Sequence, residues 1–371
     1  PRKDLPGKLR GGTYLHDMRL PGMVHGRIVR PPGVGAVLLH VDETATRALP
    51  GVICVVRDGS FLGVIAQREE QAIRAMQRLA KDCHWQAGPA LPPAHTLHDY
   101  LRQQPAEIET LQDDPPNLAA AVEQHSATFT RPYLSHASIG PSCGLACWHD
   151  EQLEVWSASQ SIHALRDEIA KLLQLAPEQV VARHAEGSGC YGHNGADDVS
   201  FDAVLLARAL PGVPVRVQWM REDEFAWEPQ GPAMVVQLRA GLDAQGRIVN
   251  WEEHIWGNRH IQRPGRRPEP GFLAAWHQGE GRPMMPTADM PLHMGGGSQR
   301  NAVPYYDLPA MQVINHALTP MPIRVSALRA LGAYLNVFAI ESFMDELALA
   351  SGQDPVSFRL RHLSDPRARA V

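Results

Sequence analysis

Residues 187–195 read GSGCYGHNG, and three of the four glycines, Gly187, Gly189 and Gly192, fall in the spacing G-x-G-x-x-G. A strand over 179–186, a helix over 196–210 and a strand over 213–219 surround the stretch, so it connects a strand to a helix. Three readings follow. The loop could wrap a dinucleotide, with Glu222 or Asp223 after the second strand holding a ribose. It could be a tight turn. It could also be a backbone wall, because glycines let the chain approach a ligand and successive N–H groups can converge on an oxygen. The dinucleotide reading is the weaker one. Arg183, His184 and Glu186 stud the first strand, where a central parallel strand is a continuous apolar run. His193-Asn194-Gly195 also separates the third glycine from the helix, and the second strand alternates as if one face were solvated.

The totals exclude several classes. The chain has 371 residues, 44% hydrophobic, enough for two or three domains. Thirty-five basic against 40 acidic residues, net −5, give no basic balance for nucleic acid. No apolar run is long enough to span a membrane, and PRKDLPGKLRGG is not a signal peptide. The five cysteines, Cys54, Cys83, Cys143, Cys147 and Cys190, have no spacing for a disulfide scaffold. Cys143-x3-Cys147 lacks the second pair of a metal site, so ordinary thiols are expected.

Along the chain, residues 1–86 read as an α+β unit. MVHGRIVR and GVICVVRDGSFLGVIA are strands bounded by Pro-Gly turns, and EEQAIRAMQRLAKD is a helix with Ile73, Met76 and Leu79 inward. Residues 87–115 are Pro-rich and weakly patterned, an expected extended linker. From 116 to 371 a larger unit is expected. It contains a strand at LEVWSAS, a helix at SIHALRDEIAKLLQL capped by Ser159 or Ser161, and a helix with Val199, Ala203, Leu206 and Leu210 on one face. An irregular excursion over 262–305 and a closing helix at LNVFAIESFMDELALA follow.

These segments together resemble a family. The loop resembles the glycine-rich motif of the large subunit of the molybdenum hydroxylases, the xanthine oxidase and aldehyde oxidoreductase family. SASQSIHALRDEIAKLL resembles the family's glutamine-then-helix segment, and MPIRVSALRALGAYLNVFAIESFMDELA its Arg-Gly-x-Gly segment and following helix. GTYLHDMRLPGMVHGRIVRPP and ALPGVICVV resemble its a/b hammerhead domain. The C-Y-G-H-N-G form of the loop is most similar to the branch of the isoquinoline 1-oxidoreductase beta and nicotinate dehydrogenase B subunits. The resemblance implies an α+β fold, an a/b hammerhead domain (1–86) followed, after the linker, by the first molybdopterin-binding domain (116–371).

The resemblance also implies roles. Gln160 matches a glutamine that hydrogen-bonds an oxo ligand of molybdenum. Gly187, Gly189, Cys190, Tyr191 and Gly192 match the loop that lines the cofactor, with Tyr191 at the family's Phe and Cys190 as an insertion. Arg329 matches the arginine near substrate and metal, although Arg329-Ala330-Leu331-Gly332 loses the motif's first glycine. HASIGP has Gly140 where the family has an acid. His184 and His193 flank the loop, either as pocket residues or as histidines satisfied in the fold. No protein side chain is expected to ligate the metal.

The implied reaction is hydroxylation of a carbon next to nitrogen or oxygen, or aldehyde oxidation, with water as oxygen source. The implied cofactor is molybdenum–molybdopterin, expected in its cytosine dinucleotide form. Electrons would leave through [2Fe–2S] clusters on a small partner subunit toward cytochrome c or another acceptor, since this chain has no four-cysteine set. The family's general-base glutamate lies in a G-x-G-E segment, and none occurs here. The chain is therefore expected to be a truncated piece or one part of a split subunit, inactive without the remainder of the large subunit. A noncatalytic scaffold module and a dinucleotide-dependent dehydrogenase are the alternatives.

Overall fold

The β-branched runs assemble into a seven-stranded mixed sheet. Its order is Val180–His184, Gln152–Ser157, Cys143–His149, Val215–Gln218, Val24–Ile28, Phe61–Ala66 and Val52–Asp58. The computed structural model describes residues 2–10, 14–114, 121–265 and 267–371. The chain passes back and forth between two compact units. The first comprises 1–91, 135–229 and 262–285, and the second 92–134, 230–261 and 286–371.

In the first unit the Ala196–Arg208 helix lies on the sheet. It is buried from Ala196 to Ala207 rather than on one face as its apolar periodicity suggests. Glycines on the sheet let it settle that deeply: a Cβ on Gly26 would stand 2.4 Å from Leu206, and one on Gly144 2.8 Å from the Ser200 backbone. The Val215–Gln218 strand, expected to be half solvated, has both neighbours filled. It runs antiparallel to Cys143–His149 and parallel to Val24–Ile28. Buried Arg216 is paired with Glu69 at 3.1 Å.

The topology bears on the dinucleotide alternative. Val180–His184 is an edge strand paired in parallel with Gln152–Ser157, and two strands separate it from Val215–Gln218. The two strands flanking the loop and its helix are therefore not neighbours, as a dinucleotide-binding crossover requires. Edge position also explains the polar Arg183 and His184, both exposed. In the Glu69–Lys81 helix the inward face is Ala72, Ala75 and Leu79, whereas Ile73 and Met76 are half-buried.

The second unit is built on a five-stranded sheet, in the order Ala106–Asp113, Met311–Leu318, Ile248–Asn258, Met234–Leu242 and Glu123–Arg131. The Ala333–Ala350 helix packs Leu335, Ala339, Phe343 and Leu347 into a core with Val236, Leu238, Trp251 and Ile255. Residues 87–115, read as an extended linker, contain the Leu97–Gln103 helix and the edge strand Ala106–Asp113. Leu97 and Leu101 are buried with Val235 and Leu318. The signal is faint because the helix offers two leucines and the strand exposes Glu107 and Glu109 along an open edge.

Candidate active site

The loop after Val180–His184 and the segment after Gln152–Ser157 leave the carboxyl ends of two paired parallel strands, a common place for ligand sites in mixed folds. A Cβ on Gly187 would stand 2.7 Å from Ala158, which shows how close the two segments run. Gly189 (φ 147°) and Gly192 (φ 136°) hold backbone conformations that side chains rarely adopt. The carbonyl of Gly189 accepts from Ser138 Oγ and Asn194 Nδ2, both at 3.2 Å. Among the described residues, the backbone N–H groups of Ser188, Gly189 and Cys190 meet no acceptor. With the Gly189 carbonyl already bonded, the loop is left with free amide donors, which suits an anionic or oxo group.

An open cleft of about 690 Å³ borders Gly187, Ser188, Gly189 and Cys190, with Ala158 and His184 alongside. Lys8 and Arg2 close on Glu186 at its rim. Tyr191 is partly exposed and lies over Gly189, its hydroxyl 3.0 Å from where a Cβ would be. Cys190 is an exposed free thiol.

Gln160 is exposed and not part of the cleft wall. Its Oε1 accepts from Arg263. Buried His193 pairs with buried Asp197 at 3.1 Å. Burial alone would raise the Asp197 carboxyl, but the hydrogen bond and charge of His193 outweigh it and hold the group below its ordinary value. His136 completes this buried cluster. Burial, with His193 nearby, lowers its pKa to about 4. Of the two histidines flanking the loop, His193 is therefore a packed, paired residue, and His184 is exposed on the cleft.

Two glutamates absent from the sequence reading support the loop's neighbour, residues 135–142. Glu224 accepts from Ser142 N at 2.7 Å and Ser142 Oγ at 2.8 Å. Glu228 accepts from Ser135 Oγ and from His136 N at 2.7 Å. Ser188 Oγ in turn donates to the Gly140 carbonyl at 2.6 Å, linking this segment to the loop. Burial pushes Glu224 up to about 7, with the charge of Glu228 adding to the rise, and burial raises Glu228 as well. In the sequence REDEFAWE these acids look like a solvated helix face, and nothing in their spacing distinguishes them from Glu222.

Arg329 belongs to the second unit and is exposed. Its turn is strained: Ala330 (φ 73°) and Leu331 (φ 55°) both occupy the left-handed region. Buried Arg131 holds the turn. It donates from Nη1 to the Leu331 carbonyl at 3.3 Å and from Nε to the Pro232 carbonyl at 3.0 Å, and stacks on Tyr334 at 5.2 Å. Gly332 follows against the Ser298 carbonyl, which a Cβ would meet at 2.0 Å. Cys143 and Cys147 are buried, free and four residues apart on one strand, a separation of about 13 Å that no single ion bridges. No group of three or more metal-ligating side chains exists among the described residues, and no helix is long and apolar enough to cross a membrane.

Residues 98–261 match the family described as molybdopterin cofactor-binding domain. The chain is 41% identical over 380 residues to the B subunit of nicotinate dehydrogenase from Pseudomonas putida, covering 99% of this chain and 30% of that protein. It is 26% identical to the beta subunit of isoquinoline 1-oxidoreductase from Brevundimonas diminuta, covering 100% of this chain and 47% of that one. The structure superposes on quinoline 2-oxidoreductase from Pseudomonas putida 86 with a TM-score of 0.74 at 19% identity, over 99% of this chain and 50% of that one. The chain thus spans between about a third and a half of the relatives it matches.

Proposed function

We propose that this chain, which carries a molybdopterin-binding domain in the fold of the molybdenum hydroxylase large subunits, is the cofactor-binding part of an oxidoreductase. The reaction is hydroxylation of an N-heterocycle or oxidation of an aldehyde, with water as oxygen source. The glycine loop is the observation that carries it. Its open amides stand at the ends of two parallel strands, beside the turn that bears Gln160.

Bound molybdenum–molybdopterin, here in its cytosine dinucleotide form, supplies the oxygen-transfer and two-electron chemistry. The amides of Gly189 and Cys190, with Gly187, Tyr191 and Gly192 completing the loop, offer fixed donors to its anionic groups. Gln160, its oxygen occupied by Arg263, presents Nε2 as a donor. By the family resemblance, Arg329 would supply a positive charge to the substrate. A glutamate outside this chain would take the proton of the incoming water, and a [2Fe–2S] small subunit would carry the electrons to cytochrome c or another acceptor. Both relatives are named as single subunits, which supports a multi-chain enzyme. The 1–86 segment is the hammerhead domain and 116–371 the first molybdopterin-binding domain.

The deciding measurement is molybdenum per chain, by plasma mass spectrometry, on protein from a molybdenum-fed host with the rest of the large subunit and the small subunit co-expressed. Stoichiometric metal that falls in Gly189→Val is expected. Metal-free protein in that complete assembly overturns the reading and leaves a scaffold module.

A further inference from the structure

We propose that Arg263 is the positioning residue for Gln160: its guanidinium, delivered by the 262–271 segment, takes the carboxamide oxygen and so turns Nε2 outward as the donor. This rests on the reading of Gln160 as a cofactor-facing group. The chemistry of the pair admits one orientation. A guanidinium carries donors only, so it can bond Oε1 and never Nε2. An unrestrained carboxamide flips between two orientations that present an acceptor or a donor, and only the second suits an oxo ligand. Arg263 removes the first.

The segment that brings Arg263 there is docked on the helix that Gln160 precedes. Buried Glu168, in the Ile162–Leu173 helix, accepts from Gly265 N and Gly271 N, each at 3.2 Å. Lys171 on the same helix donates to the Pro268 carbonyl at 2.6 Å. A Cβ on Gly271 would stand 2.7 Å from Pro264, so the segment doubles back tightly on the residue next to Arg263. These three hydrogen bonds tie Gly265, Pro268 and Gly271, which follow Arg263, to the helix that Gln160 precedes. The Arg263 charge also acts on buried Asp197 and His136.

The test uses the 371-residue chain labelled with ¹⁵N-glutamine. The side-chain amide pair that disappears in Gln160→Ala identifies Gln160. In Arg263→Met this pair should move to the position of a freely solvated glutamine, and in Arg263→Lys part of the way, with the melting temperature held. An unmoved pair in Arg263→Met overturns the proposal. In the assembled holoenzyme, Arg263→Met should lower kcat on the order of 10-fold with little change in KM. Added to Gln160→Ala, it should cost nothing further, whereas additive losses would show that Arg263 acts elsewhere. If the assembly holds no molybdenum, the amide spectrum still decides the Arg263–Gln160 relation and only the functional reading falls.

Discussion

The loop 187–192 of the first unit and the turn 329–332 of the second solve the same backbone problem in opposite ways. In the loop, the residues at φ 147° and 136° are glycines, Gly189 and Gly192. In the turn, the residues at φ 73° and 55° are Ala330 and Leu331, while the glycine, Gly332, sits at an ordinary helical φ of −64°. Gly332 is needed for space rather than for conformation. The supports differ as well. The loop leans on residues 135–142, held by two carboxylates that titrate, and the turn leans on Arg131, which does not titrate near neutrality. The lesson is that a glycine pattern in a sequence mixes two requirements, freedom in φ and room for a neighbour, which only the fold separates.

The largest effect that this contrast predicts is at Gly332. A methyl there would stand 2.0 Å from the Ser298 carbonyl oxygen and 2.7 Å from that of Gly297, both backbone atoms that cannot rotate away. Gly332→Ala should destabilise the second unit by about 3 kcal/mol, read from urea unfolding. A change below about 1 kcal/mol would mean that the Gly297–Ser298 backbone is free to shift.

Next is the difference in titration. Glu224 is raised from 4.5 to about 7. Between those values the folded protein keeps a proton that the unfolded chain releases. Stability from this pair is therefore complete below about 4.5 and is lost as pH rises through 7. Glu224→Gln keeps an acceptor for Ser142 and cannot ionise. It should flatten the decline in melting temperature between about pH 5 and 8, with an effect on the order of 2 kcal/mol at the alkaline end. Arg131 is lowered by burial only to about 10, so the second unit should show no such slope from this support. An unchanged slope in Glu224→Gln would place the titrating group elsewhere.

Gly189→Ala should cost less, about 1–2 kcal/mol. Its strain is in φ, and the atoms that a methyl meets, at 3.0–3.3 Å, belong to the Tyr191 ring, which can turn. The informative readout is the pairing of stability with cofactor retention. A stable variant that loses molybdenum would show that the loop's backbone geometry serves the ligand rather than the fold.

Much of this was legible in the sequence where one side chain pattern has one cause. β-Branched residues between Pro-Gly turns marked the Val52–Asp58 and Phe61–Ala66 hairpin, helical periodicity marked Ile162–Leu173, and the closing helix Ala333–Ala350 was also expected. The family resemblance carried by the loop, the Gln160 segment and the closing helix is matched by the fold and by residues 98–261. What stayed hidden depended on contacts distant in sequence. Arg263 reads as one more polar residue in an irregular excursion, and its partner lies 103 positions away. Glu224 and Glu228 gain their meaning from Ser142 and Ser135, more than 80 positions earlier. The full burial of Ala196 to Ala207 hid behind three aspartates, because local periodicity cannot count the layers stacked above a helix.

The smallest predicted effect tests the strained side of the comparison directly. If Ala330 is held at φ 73° by the structure around it, Ala330→Gly should relieve a left-handed cost of about 1–2 kcal/mol. Glycine gives back part of that through the greater freedom of the unfolded chain, about 0.5–1 kcal/mol. The net gain should be about 0.5 kcal/mol, near the limit of what urea unfolding resolves. Activity should separate the two uses of the strain. If the turn is strained only because Arg131 and Gly332 fix its ends, Ala330→Gly in the assembled enzyme should gain stability and leave kcat unchanged. If the alanine methyl stiffens the turn so that Arg329 is held toward substrate, the same substitution should raise KM while stability improves.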